Sequence, residues 1–145
     1  MRSKPSWLWW ALAAAVSVWL LWMTLRPNQA VATNLAPLTT SAAKQGISAR
    51  LLIDLAGNVV VFVPLGAPLA LALRDRPAGH RLLLATLGGA GLSLVIELVQ
   101  TTVPTRVAAL GDWLLNAVGT GVGAVAASWM SYIFAHNERP ATNDE

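Results

Sequence analysis

The chain has 145 residues, of which 55% are hydrophobic and only 12% charged. A soluble domain carries about 25% charged residues, so this chain has too few to cover a water-facing globule. Ten Lys and Arg stand against seven Asp and Glu. The cations are scattered rather than clustered, which excludes a nucleic-acid-binding patch. The chain contains no cysteine, which rules out disulfides, thiolate metal sites and thiol nucleophiles.

Four apolar stretches follow in chain order, at about 7–25, 48–73, 82–103 and 112–134. Each approaches the roughly 20 residues that a spanning helix needs. The first follows Pro5 and Ser6, a helix-start signal, and carries five tryptophans between Trp7 and Trp22. Arg2, Lys4 and the small residues Ala30–Val31–Ala32 also fit a cleaved leader. The length of the run and its Trp7, Trp9 and Trp10 anchor favour a retained helix.

The second stretch contains Asp54, Asn58, Pro64 and Pro68, against thirteen Leu, Ile, Val and Phe between Leu51 and Leu73. Those apolar residues supply roughly −4 to −8 kcal/mol of insertion free energy, whereas one aspartate costs about 2.5 to 3.5 kcal/mol at a helix centre. Insertion is therefore expected, with a bend at Pro64–Leu65–Gly66–Ala67–Pro68. The expected fold is all-α, an integral membrane bundle of about four transmembrane helices in a single domain. Residues 136–145 form a polar, flexible tail.

With a cytoplasmic N-terminus, the inner side holds six cations: Arg2, Lys4, Arg74, Arg76, Arg81 and Arg139. The outer side holds four: Arg26, Lys44, Arg50 and Arg106. The positive-inside rule thus places both termini in the cytoplasm of a multi-pass cell-membrane protein.

Three acids fall at the edges of the apolar stretches. Asp54 opens the second, Glu97 lies near the end of the third, and Asp112 opens the fourth. Alternating helices bring these three positions to one membrane face. Asn58 follows Asp54 by four residues, Gln100 follows Glu97 by three and Asn116 follows Asp112 by four, so each pair shares a helix face. Gly119 and Gly123 continue the Asp112–Asn116 stripe as a small-xxx-small pattern for close helix approach. Arg106 lies in the loop above this group, and Arg50 at the mouth of the second helix. Taken singly, these polar residues read as interhelical contacts or caps. As a set on one face they read as a ligand-binding site, because ionisable groups inside a membrane are costly and mark function.

Both histidines, His80 and His136, fall toward the opposite face, so no Ser-His-acid triad is available. Carboxylate acid–base chemistry and simple binding are both compatible with the set. An oxygen-ligand cation site is a weaker alternative to pairing with arginine, and no metal or cofactor is expected. Gly88, Gly89 and Gly91 lack a following Gly-Lys-Ser or Gly-Lys-Thr and read as packing residues rather than a phosphate loop.

In order, these residues resemble the VanZ-like family of small bacterial membrane proteins. The family pattern Asn-x3-Phe-x-Pro-x-Gly is matched by Asn58, Phe62, Pro64 and Gly66. Glu97, Gln100, Arg106, Asp112, Asn116, Gly119 and Gly123 match the remainder. This motif resemblance covers about 50–124 and leaves out the first helix and the tail. It implies a multi-helix membrane protein in a family named for a member linked to teicoplanin resistance. Some members carry Asp-Lys-x2-His where this chain has Asp54-Leu55-Ala56-Gly57-Asn58, so chemistry relying on that histidine is not expected.

Three functions are open at this point. In the first, an outward-facing site binds or processes a cell-envelope lipid, a wall precursor or a glycopeptide-type amphiphile, with membrane lipids as surroundings. The second is a small proton-coupled carrier built on the Pro64–Pro68 break. The third is an accessory subunit of a membrane complex.

Overall fold

A computed structural model describes residues 6–24, 55–101 and 110–137. The described residues form helices and turns only. Helix α1 spans Ser6–Thr24, a π-helical segment spans Leu55–Val60 and leads into α2 at Val61–Ala72, α3 spans Ala78–Gln100, and α4 spans Leu110–Asn137. Helices α1, α3 and α4 are each long and apolar enough to cross a membrane, and the 57–72 segment is a shorter apolar helix. The fold is an all-helical membrane bundle.

Helix boundaries differ from those read off hydropathy, for local reasons. Helix α3 starts at Ala78 rather than Leu82, directly after Pro77, whose extended backbone (φ −51°, ψ 144°) launches the helix. Its first turn, Ala78–Arg81, is polar and invisible to a hydropathy reading. Helix α4 continues to Asn137, so His136 and Asn137 are helical rather than tail. Its 28 residues amount to about 42 Å at 1.5 Å per residue, longer than a hydrocarbon core of about 30 Å. Tyr132 and Phe134 in its last turns are exposed, and the excess length is taken up by tilt or by helix ends outside the apolar layer.

Pro64 and Pro68 both sit inside α2, which stays α-helical through them. The irregularity lies one turn earlier than the expected bend, in the π-helical segment that ends at Val60. Pro64 has no N–H for the carbonyl four residues back and its ring crowds that carbonyl, so the winding changes there. Pro68 is buried, whereas Pro64 is exposed.

The core has one cluster of large apolar side chains and one of alanines. Leu20, Phe62, Leu65 and Ile96 form one buried cluster across α1, α2 and α3. Ala70, Ala85 and Ala124 form a second across α2, α3 and α4. Helix α2 makes its most extensive contacts with α4. A Cβ added at Gly119 would overlap the carbonyl of Val59, one at Gly123 would overlap that of Val63, and one at Gly66 would overlap that of Thr120. Glycine lets these backbones touch, each carbonyl oxygen facing a glycine Cα, and dispersion together with weak Cα–H···O contacts holds them.

Helix α1 contributes less, burying only Ala13 and Leu20. Gly89 meets the Thr120 side chain, as a packing glycine should, but Gly91 is exposed with nothing near it.

Candidate functional site

Two hydrogen bonds fix which helix ends lie together. Gln100 Nε2 donates to the Thr24 carbonyl at 3.1 Å, joining the C-terminal ends of α3 and α1. Asn58 Nδ2 donates to Asp112 Oδ1 at 3.0 Å, joining the start of the 55–72 segment to the start of α4. Because α3 and α4 run antiparallel, all four ends share one face of the bundle. Asp112 sits in the first turn of α4, where the helix dipole favours a negative charge.

Below this layer the register of α3 against α4 is explicit. Thr120 packs on Gly89. Asn116 Nδ2 donates to Ser93 Oγ at 2.8 Å. Each step of four along α3 is thus matched by a step of four back along α4. Glu97, one turn beyond Ser93 on α3, and Asp112, one turn before Asn116 on α4, lie toward the same end. Glu97, Gln100 and Asn116 are all buried, at 8%, 8% and 5% exposure, and Asp112 and Asn58 are half-buried. Five of the residues read from the sequence as ligand groups therefore gather at one end: Asn58, Glu97, Gln100, Asp112 and Asn116. Asp54, Arg50 and Arg106 lie outside the described residues.

Gln100 does not stand free in the site. In an apolar layer the last carbonyls of a helix need donors, and Gln100 serves the end of α1. Asn116 differs again, because its Oδ1 is buried and has no hydrogen-bond partner. A buried amide oxygen without a partner costs about 1–3 kcal/mol and calls for an explanation.

Ser93 and Thr120, both fully buried, belong to the same wall and were not singled out by sequence. The Thr120 hydroxyl turns back to the Asn116 carbonyl, 3.0 Å away, as Ser17 and Ser128 do to carbonyls of their own helices. Ser93 meets another helix. Its position four residues before Glu97, on the Gly89–Ser93–Glu97 stripe, was the available signal.

Trp113 was also missed. Its Nε1 donates to the Ala90 carbonyl at 2.9 Å, anchoring the start of α4 on α3. Trp113→Phe is expected to cost about 0.5–1.5 kcal/mol, one net hydrogen bond, read as a fall in thermal midpoint in detergent.

No group of three His, Cys, Asp or Glu side chains comes together among the described residues. His80, in the first turn of α3, and His136, in the last turn of α4, lie at the far end of the bundle. A shallow apolar groove of about 600 Å³, lined by Leu114, Val118, Val122, Val125 and Trp129 of α4 with Thr86 of α3, follows the outer side of α4, away from the Asp112–Asn116 stripe.

Set beside known families, residues 6–133 match the VanZ/LLP1 family model. The chain belongs to the VanZ/LLP1 family. The match begins in α1, so this VanZ/LLP1 protein shares with its family the first helix that the motif resemblance had left out. Comparison with curated proteins and with solved structures finds no match.

Proposed function

We propose that this VanZ/LLP1 protein is a membrane-embedded receptor for the polar head of an amphiphile: a cell-envelope lipid, a wall precursor or a glycopeptide-type antibiotic. The reading rests on one observation. Polar side chains from the 55–60 segment, α3 and α4 gather at one end of an otherwise apolar bundle, and the deepest of them, Asn116, keeps a buried oxygen unpaired. Interhelical contacts alone are self-satisfying, whereas a receptor keeps groups in reserve.

The site faces outward in the plasma membrane, with both termini cytoplasmic, as the placement of Lys and Arg favours. The candidate ligand groups are Glu97 and Arg106 as the central pair read from the sequence, with Asp112 and Asp54, while Asn58 and Asn116 supply neutral hydrogen bonds. No bond-breaking step is required of these groups, and antibiotic resistance by sequestering an amphiphile is one consequence of the reading.

Native mass spectrometry of protein extracted gently from its own membrane tests the proposal. A retained amphiphile is expected in the wild type. It is expected to be lost in Glu97→Gln and Arg106→Ala, with membrane levels of both variants normal. Full retention in both variants overturns the reading, as does a stoichiometric protein partner in place of a lipid.

A further inference from the structure

The amide groups at the proposed site are oriented by what they touch, and their orientation has a direction. Asn58 turns its NH2 to the Asp112 carboxylate, the only end of the amide that a carboxylate oxygen accepts. Gln100 turns its NH2 to the Thr24 carbonyl for the same reason. Asn116 turns its NH2 to Ser93. Each amide has engaged one N–H within the protein and keeps a second N–H and its carbonyl oxygen. The Asn116 side-chain oxygen is the one that is buried with no partner.

Asn116 lies one helical turn inside Asp112 on α4, about 6 Å deeper by the helical rise.

We infer that the head group taken by this site is a hydrogen-bond donor, carrying primary ammonium N–H or hydroxyl O–H groups, with one donor reaching the buried Asn116 Oδ1. The inference rests on the amphiphile reading and narrows it. A quaternary ammonium, which has no donor, leaves Asn116 unsatisfied. Sites built to hydrogen-bond a substrate group discriminate sharply against analogues lacking it, because the buried protein group is then left unpaired.

The test uses the full chain in phosphatidylcholine nanodiscs doped equally with phosphatidylethanolamine, its N,N-dimethyl derivative and a neutral monoglucosyl diacylglycerol. The ethanolamine series keeps one zwitterionic head group and removes its N–H donors stepwise, while the glucolipid presents hydroxyls without charge. Native mass spectrometry reads which lipid remains bound.

Enrichment of phosphatidylethanolamine or the glucolipid over phosphatidylcholine by about fivefold or more is expected, the discrimination one hydrogen bond gives. The first identifies an ammonium donor and the second a hydroxyl donor. The dimethyl lipid should fall between phosphatidylethanolamine and phosphatidylcholine. In Asn116→Leu the preference should flatten while lipid is still bound. Phosphatidylcholine bound as well as the donor lipids by the wild type overturns the donor inference and leaves the receptor intact. A preference unchanged in Asn116→Leu also overturns it. No lipid bound at all removes the receptor reading and this inference together.

Discussion

Replacing Gly123 with leucine is expected to break the bundle. A Cβ at this position already overlaps the carbonyl of Val63, and the obstacle is backbone, which cannot rotate aside. Gly66 is the reciprocal position, where a Cβ would overlap the carbonyl of Thr120 and approach the backbone nitrogen of Ala124. Overpacking a well-filled interior costs about 1–3 kcal/mol where side chains can adjust, and more where two backbones must separate. Helix α2 leans chiefly on α4, so forcing the pair apart removes the main support of the shortest helix.

Gly123→Leu and Gly66→Leu should each lower the thermal midpoint of the detergent-solubilised protein by more than the Trp113→Phe change, and should reduce its steady-state level in the membrane. Gly91→Leu is the internal control. Nothing lies within 4 Å of a Cβ there, so its midpoint should hardly move. Equal behaviour of Gly91→Leu and Gly123→Leu would show that the α2–α4 contact is not what holds the bundle.

The second large effect is expected at Asp112. Asp112→Leu leaves the half-buried Asn58 amide without its acceptor and removes the acid from the first turn of α4. The unpaired amide costs about 1–3 kcal/mol, and the lost dipole interaction about 0.3–1 kcal/mol more. The double change Asn58→Leu with Asp112→Leu should recover part of that loss, because an apolar pair leaves no group unsatisfied. A double-mutant cycle on thermal unfolding checks this, and a coupling energy near zero would mean that the two residues act independently.

Much of this arrangement was legible in the sequence, for one physical reason. Helices that traverse a bilayer alternate in direction, so the ends of odd helices meet the starts of even ones. Asp54, Glu97 and Asp112 could be assigned to one face from that alone, and Asn58 and the glycine stripe from the helical period; of the three acids, Asp54 lies outside the described residues. The rest depended on terms that hydropathy does not carry. The π-helical winding before Val60 arises from the N–H that Pro64 lacks, acting one turn upstream of the proline. Gln100 looked like a ligand group, but its amide serves the carbonyl of a helix 76 positions earlier in the chain. Ser93 and Thr120 were hidden because small hydroxyl residues are common filler in membrane helices, and only the neighbouring helix shows which of them meets a partner.

The dependence of α2 on α4 also sets an order of events. Helix α2 has only 12 residues and two prolines, and the glycines that receive the carbonyls of Val59, just before it, and Val63, within it, are Gly119 and Gly123, made 60 residues later. A chain emerging N-terminal end first must therefore hold this segment in the membrane, or beside it, before its partner exists. The polar end cannot assemble until α4 enters, and a chain stalled before α4 would lack Asp112 and Asn116.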